Sequence, residues 1–171
     1  MKEFIIISGT QNSGKTTTAW CVYQRLLPYS SDMKMWICGD PVDNHGEIVY
    51  KQPEEYNHLP DDFKTILTIY DYKVAIISGG DYPDLLEEEI EDVLKQGADF
   101  IVISLRSINR QGSSRNMIQT KYPDAYKKEY WLDDNSYTHL TNLLDIANSK
   151  RPTADRIANY ILLQTNYPYF K

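Results

Sequence analysis

The chain has 171 residues, 42% of them apolar and 25% charged, a composition that suits one globular domain with a sizeable core and excludes long disordered tracts. Its 24 acids outnumber its 18 bases, so the formal charge of −6 argues against nucleic acid as a partner and excludes broad, sequence-independent binding to a phosphodiester backbone. No apolar run reaches the ~18 residues of a membrane span, and Met1-Lys2-Glu3 leads into a strand-like run instead of a signal peptide, so the expectation is a cytoplasmic protein with no membrane contact.

The run FIII at 4–7 is short, continuous and mostly β-branched, the pattern of a strand buried in a parallel sheet. Beyond a glycine-containing loop, Ala19, Val22, Tyr23, Leu26 and Leu27 recur at helical spacing until Pro28 closes the helix. MKMWIC (33–38) reads as a second strand, ending at Gly39-Asp40. TILTIY (65–70) is rich in β-branched residues and precedes an Asp71-Tyr72 turn, which favours an antiparallel hairpin over a helix. EIVYK (47–51) is a candidate partner for it, and Pro41, Pro53 and Pro60 keep the rest of that stretch in loops.

KVAIIS (73–78) is the third strand, ending at Gly79-Gly80-Asp81, and DFIVIS (99–104) the fourth, leading to Arg106. Between them Leu85, Leu86, Ile90, Val93 and Leu94 form an apolar stripe, with Glu87-Glu88-Glu89 on the polar face and Gly97 as the stop. The result is a βαβ unit with a right-handed crossover. EYWLD (129–133) reads as a short edge strand, followed by helices around 138–149 and 153–164, the latter capped by Thr153 after Pro152. The predicted fold is α/β: residues 1–171 form a single three-layer sandwich around a mainly parallel sheet, with one antiparallel hairpin. Cys21 and Cys38 lack metal-ligand spacing and read as buried thiols; His45, His58 and His139 lie too far apart in sequence for a ligand set.

Chemistry concentrates in Gly9-Thr10-Gln11-Asn12-Ser13-Gly14-Lys15-Thr16, which satisfies G-x-x-x-x-G-K-[ST] between a buried strand and an amphipathic helix. Glycines let successive N–H groups point inward as an anion nest, and the helix after them adds the positive end of its dipole. A polyphosphate is the natural guest, with residues 9–17 around it, Lys15 supplying a point charge and the Thr16 hydroxyl placed for Mg²⁺. The stretch resembles the phosphate loop of the P-loop NTPase superfamily. That resemblance implies a bound nucleoside triphosphate with Mg²⁺; ATP is favoured over GTP because no N-K-x-D motif is present.

Ligands of a parallel sheet lie beyond the carboxyl ends of its strands, which singles out Asp40, residues 78–81 and Arg106. Ser78 stands where P-loop proteins commonly carry an acid, so Asp81 becomes the metal candidate. Asp40 is either a metal partner, a base for an incoming hydroxyl, or a turn residue before Pro41. Residues 106–128 gather Arg106, Arg110, Arg115, Lys121, Lys127 and Lys128 around Gly112-Ser113-Ser114, and read as a lid whose arginines stabilise phosphoryl transfer. The order of parts is similar to that of small-molecule and nucleoside monophosphate kinases, which implies a phosphotransferase. The alternatives are a nucleotide-state switch that binds a partner protein and hydrolyses its nucleotide slowly, and a protein in which the nucleotide is structural.

Overall fold

The computed structural model describes residues 2–11, 13–37, 40–42, 62–132 and 143–166. In chain order the elements are β1 (Glu3–Gly9), α1 (Lys15–Leu26), a 3-10 turn (Leu27–Tyr29), β2 (Ser30–Ile37), β3 (Asp40–Val42), β4 (Phe63–Ile69), β5 (Tyr72–Ile77), α2 (Pro83–Lys95), β6 (Phe100–Arg106), α3 (Ser114–Lys121), β7 (Tyr126–Trp131) and α4 (Leu143–Asn166). The expected strand at 47–51, Cys38 and the three histidines lie outside the described residues.

The strands form one seven-stranded sheet in the order β3-β2-β4-β5-β6-β1-β7. A mainly parallel sheet was the expectation, and the sheet is mixed. The pairs β5–β6, β6–β1 and β1–β7 are parallel, while β3–β2, β2–β4 and β4–β5 are antiparallel. The reason is local: β4 and β5 are joined by the two-residue turn Tyr70-Asp71, with Ile69 opposite Tyr72, and so short a link reverses the chain. The hairpin anticipated from TILTIY is therefore present, and β4 takes β2 as its second neighbour.

Helices cover both faces. On one, α1 and α4 bury Ala19, Val22, Tyr23, Leu26, Ile157 and Ile161 against Ile5, Ile7, Leu67 and Ile76. On the other, α2 and α3 bury Leu86, Ile90, Val93 and Ile118 against Phe4, Ile6, Ile77 and Ile103. Each of the larger aliphatic side chains among them contributes about 1.5–3 kcal/mol by leaving water. Leu85 departs from the expected stripe and is 60% exposed. Cys21 is a buried free thiol, and burial, the main cause, pushes its pKa up to about 11.

The C-terminal helices were expected to be two, the second capped by Thr153. One helix runs through Pro152 instead, although proline has no N–H to continue the ladder at a cost of about 3 kcal/mol. Burial of Ala154, Ile157, Ala158 and Ile161, with Arg25 Nε of α1 at 2.7 Å from Asp155 Oδ1, holds the continuous form.

Candidate functional site

Buried along its whole length, β1 delivers Gly9 to the edge of the sheet where the loop begins. The loop turns back on itself: Ser13 N donates to Thr10 O at 3.3 Å, and a Cβ on Gly9 would lie 2.2 Å from Ser13 Oγ. Gly14 adopts the left-handed conformation at φ 84°, ψ 26°, which glycine enters without penalty. From there α1 starts at Lys15, and its first hydrogen bond within this turn runs from Thr18 N to Gly14 O at 2.8 Å. The amides ahead of Thr18 have no acceptor inside the helix, so this end attracts anions by both donor groups and dipole. Lys15 Nζ arches over the loop to donate to Thr10 O at 2.5 Å. Ser13 Oγ is buried without a hydrogen-bond partner among the described residues. Thr10 and Gln11 are exposed, Thr17 is buried beneath the loop, and Asn12 lies outside the described residues.

The acid that meets Thr16 is Asp62. Thr16 Oγ1 donates to Asp62 Oδ1 at 3.2 Å, and Ser78 Oγ donates to the same oxygen at 3.3 Å while accepting from Phe63 N at 2.8 Å. Packing sets this up: Trp20, one turn beyond Thr16 on α1, lies against Phe63 with ring centroids 4.2 Å apart, which draws the start of β4 to the start of α1. The 3.2 Å spacing suits two neighbouring corners of a magnesium octahedron, roughly 3 Å apart when each Mg–O distance is about 2.1 Å. Among the described residues no three His, Cys, Asp or Glu side chains are grouped to cage a metal without help. An ion here would take phosphate oxygens and water as its other ligands, as Mg²⁺ usually does.

Asp81, the expected partner of Thr16, is committed elsewhere. Arg106 donates to both of its oxygens, from Nε and from Nη2, each at 2.8 Å. This hydrogen-bonded pairing raises the guanidinium pKa further. Asp40 opens β3 opposite Ile37, whose other neighbour is Phe63, so its backbone reaches the same edge two strands out from β4, roughly 10 Å away. Between Asp62, Gly79, Asp81, Tyr82, Leu85, Glu88 and Glu89 lies a cleft of about 390 Å³. Burial raises the Glu89 carboxyl pKa, with Lys64 opposing and Asp62 and Asp92 adding to the rise.

The arginines of residues 106–128 separate into two kinds. Arg115 is 8% exposed and fully engaged. Its Nη1 lies 2.6 Å from Glu129 Oε1, Nη2 donates to Ser8 Oγ at 2.5 Å, and Nε donates to Arg106 O at 3.4 Å. Ser8 in turn donates to Glu129, so the guanidinium anticipated in a lid instead ties α3 to β1 and β7. Arg106 and Arg110 stay at the rim, and the middle of the segment is α3, packed on the sheet through Ile118.

Two residues beside the loop had not been singled out. Asp62 carried a usable signal, an acid three residues before a run already read as an arm of an antiparallel hairpin, but only residues following strand ends had been considered, and an antiparallel strand brings its preceding residue to that edge. Lys150 carried none: it is buried, and its Cε lies 2.6 Å from where a Cβ on Gly14 would sit, 136 residues away along the chain by numbering. No protein-family model, curated protein or solved structure matches the chain.

Proposed function

We propose that the chain binds a nucleoside triphosphate, ATP by preference, with Mg²⁺ on residues 9–17 and transfers its terminal phosphoryl group to a small molecule or nucleotide held in the neighbouring cleft. The observation that carries this reading is the double position of Asp62, in contact with Thr16 and also lining the 390 Å³ cleft. A switch needs only the loop; an adjoining cleft of this size gives a second substrate somewhere to sit. Loop amides and Lys15, once released from the Thr10 carbonyl, hold the β- and γ-phosphates. Thr16 and Asp62 would hold the Mg²⁺, which when bound neutralises charge on the phosphate oxygens. Arg106, at the end of β6, links the cleft to the loop strand, since it holds Asp81 of the cleft wall and pairs in register with Gly9.

Calorimetry tests the first half. Lys15→Ala is expected to weaken triphosphate binding by about 3 kcal/mol, on the order of a hundredfold, and unchanged affinity would remove the assignment. A coupled ADP-release screen over nucleoside monophosphates and hydroxylated metabolites tests the second; turnover independent of every acceptor would turn the reading toward a hydrolase.

A further inference from the structure

Beyond the Asp81–Arg106 pair lies a second cavity, of about 120 Å³, lined by Gly80, Arg106, Arg110 and the first residues of α3. Three observations meet there. Helix α3 begins at this wall: Ser113 caps it by accepting from Asn116 N while its own N–H donates to Arg110 O at 3.0 Å, and the Ser114 and Arg115 amides have no acceptor within the helix. Ser114 lines the cavity and is 7% exposed, yet its hydroxyl has no hydrogen-bond partner among the described residues. A buried polar atom left this way is uncommon and points to a missing acceptor or donor. Finally, the guanidinium groups are available. Arg110 makes no ion pair among the described residues, and Arg106, held by Asp81 through Nε and Nη2, keeps Nη1 uncommitted.

We infer that this cavity is a second oxyanion site, separate from residues 9–17, and that it takes a phosphate group. Its polar wall is a donor set of helix amides, a hydroxyl and two guanidinium groups, and the one acid lining it, Asp81, already has its charge met by Arg106. Arginine groups with helix amides match a phosphate's several oxygens. Asp81 lines both cavities, so a molecule anchored here by its phosphate extends into the larger cleft toward Asp62. Resting on the phosphotransfer reading, this makes the acceptor a phosphomonoester; the anion site itself stands without that reading.

The test uses the full chain carrying Lys15→Ala, labelled with ¹⁵N and titrated with inorganic phosphate and, separately, with AMP as a phosphomonoester. Saturable shifts of the Ser113, Ser114 and Arg115 amides are expected. Adding Arg110→Ala should raise the midpoint about tenfold, and adding Ser114→Ala severalfold. Neither change touches a folding contact: one side chain is at the rim and the other loses an unpartnered hydroxyl. AMP binding more tightly than phosphate identifies an acceptor's terminal group; equal binding identifies free phosphate. Absent shifts, or shifts that survive both substitutions, would overturn the site. Triphosphate calorimetry on the unmodified chain separates the two claims, because its failure leaves the α3 shifts standing and their loss leaves triphosphate binding standing.

Discussion

The two halves of the sheet bring residues to the same edge by opposite routes. In the parallel half, β5, β6 and β1 end there, so the residues that follow each strand arrive: Gly79 to Asp81, Arg106, and the loop after Gly9. In the antiparallel half β4 begins there, and the residue that precedes it, Asp62, arrives instead. A rule framed in terms of strand ends is therefore a rule about sheet edges, and the polarity of each strand decides which flanking residue counts.

Substitutions in either half of the sheet should separate their contributions. The largest effect belongs to Arg115→Ala, which strands Glu129 and removes the link from α3 to β1 and β7. A loss of about 3 kcal/mol is expected, read as a shift in urea midpoint, because breaking a mostly buried ion pair leaves a charge unpaired. An unchanged midpoint would mean the parallel half is held by its hydrogen-bond ladder alone. Gly80→Ala comes next, at about 2 kcal/mol, since a Cβ there would lie 1.7 Å from the Ser104 carbonyl oxygen and the turn after β5 must lift off β6. Crystallography of that variant should find the Asp81–Arg106 pair displaced.

The smallest effect is at Glu89, in the cleft against the antiparallel half. A carboxyl pKa raised by burial contributes stability below its ordinary 4.5, and that stability is lost as pH climbs through the folded value. Glu89→Gln should stabilise the protein at pH 7, by about 0.5 kcal/mol after allowance for solvent screening, and do nothing below pH ~4. Thermal unfolding across that range checks the sign.

Much of the fold was legible from periodicity. The runs at 4–7, 73–78 and 99–104 are apolar on both faces because helices cover both faces, and the glycine loop declared itself because its ligand chemistry and its backbone geometry demand the same residues. What stayed hidden depends on distance in sequence. Nothing near residue 62 announces Thr16, and the contact exists because Trp20 packs on Phe63. Arg115 and Arg110 look alike in a basic stretch; only the fold puts Glu129 and Ser8 around one and leaves the other at the rim. Pro152 misled in the usual way, since a helix start and a helix interior with strong flanking burial share that residue.

Under the proposed function, Asp62 and not Asp81 would share Mg²⁺ with Thr16. Calorimetry of a non-hydrolysable ATP analogue, with and without Mg²⁺, on Asp62→Asn and Asp81→Asn measures it directly. Mg²⁺ should tighten binding to the unmodified chain and to Asp81→Asn, and Asp62→Asn should lose roughly tenfold of that gain. Loss of the gain in Asp81→Asn with Asp62→Asn unaffected would contradict it.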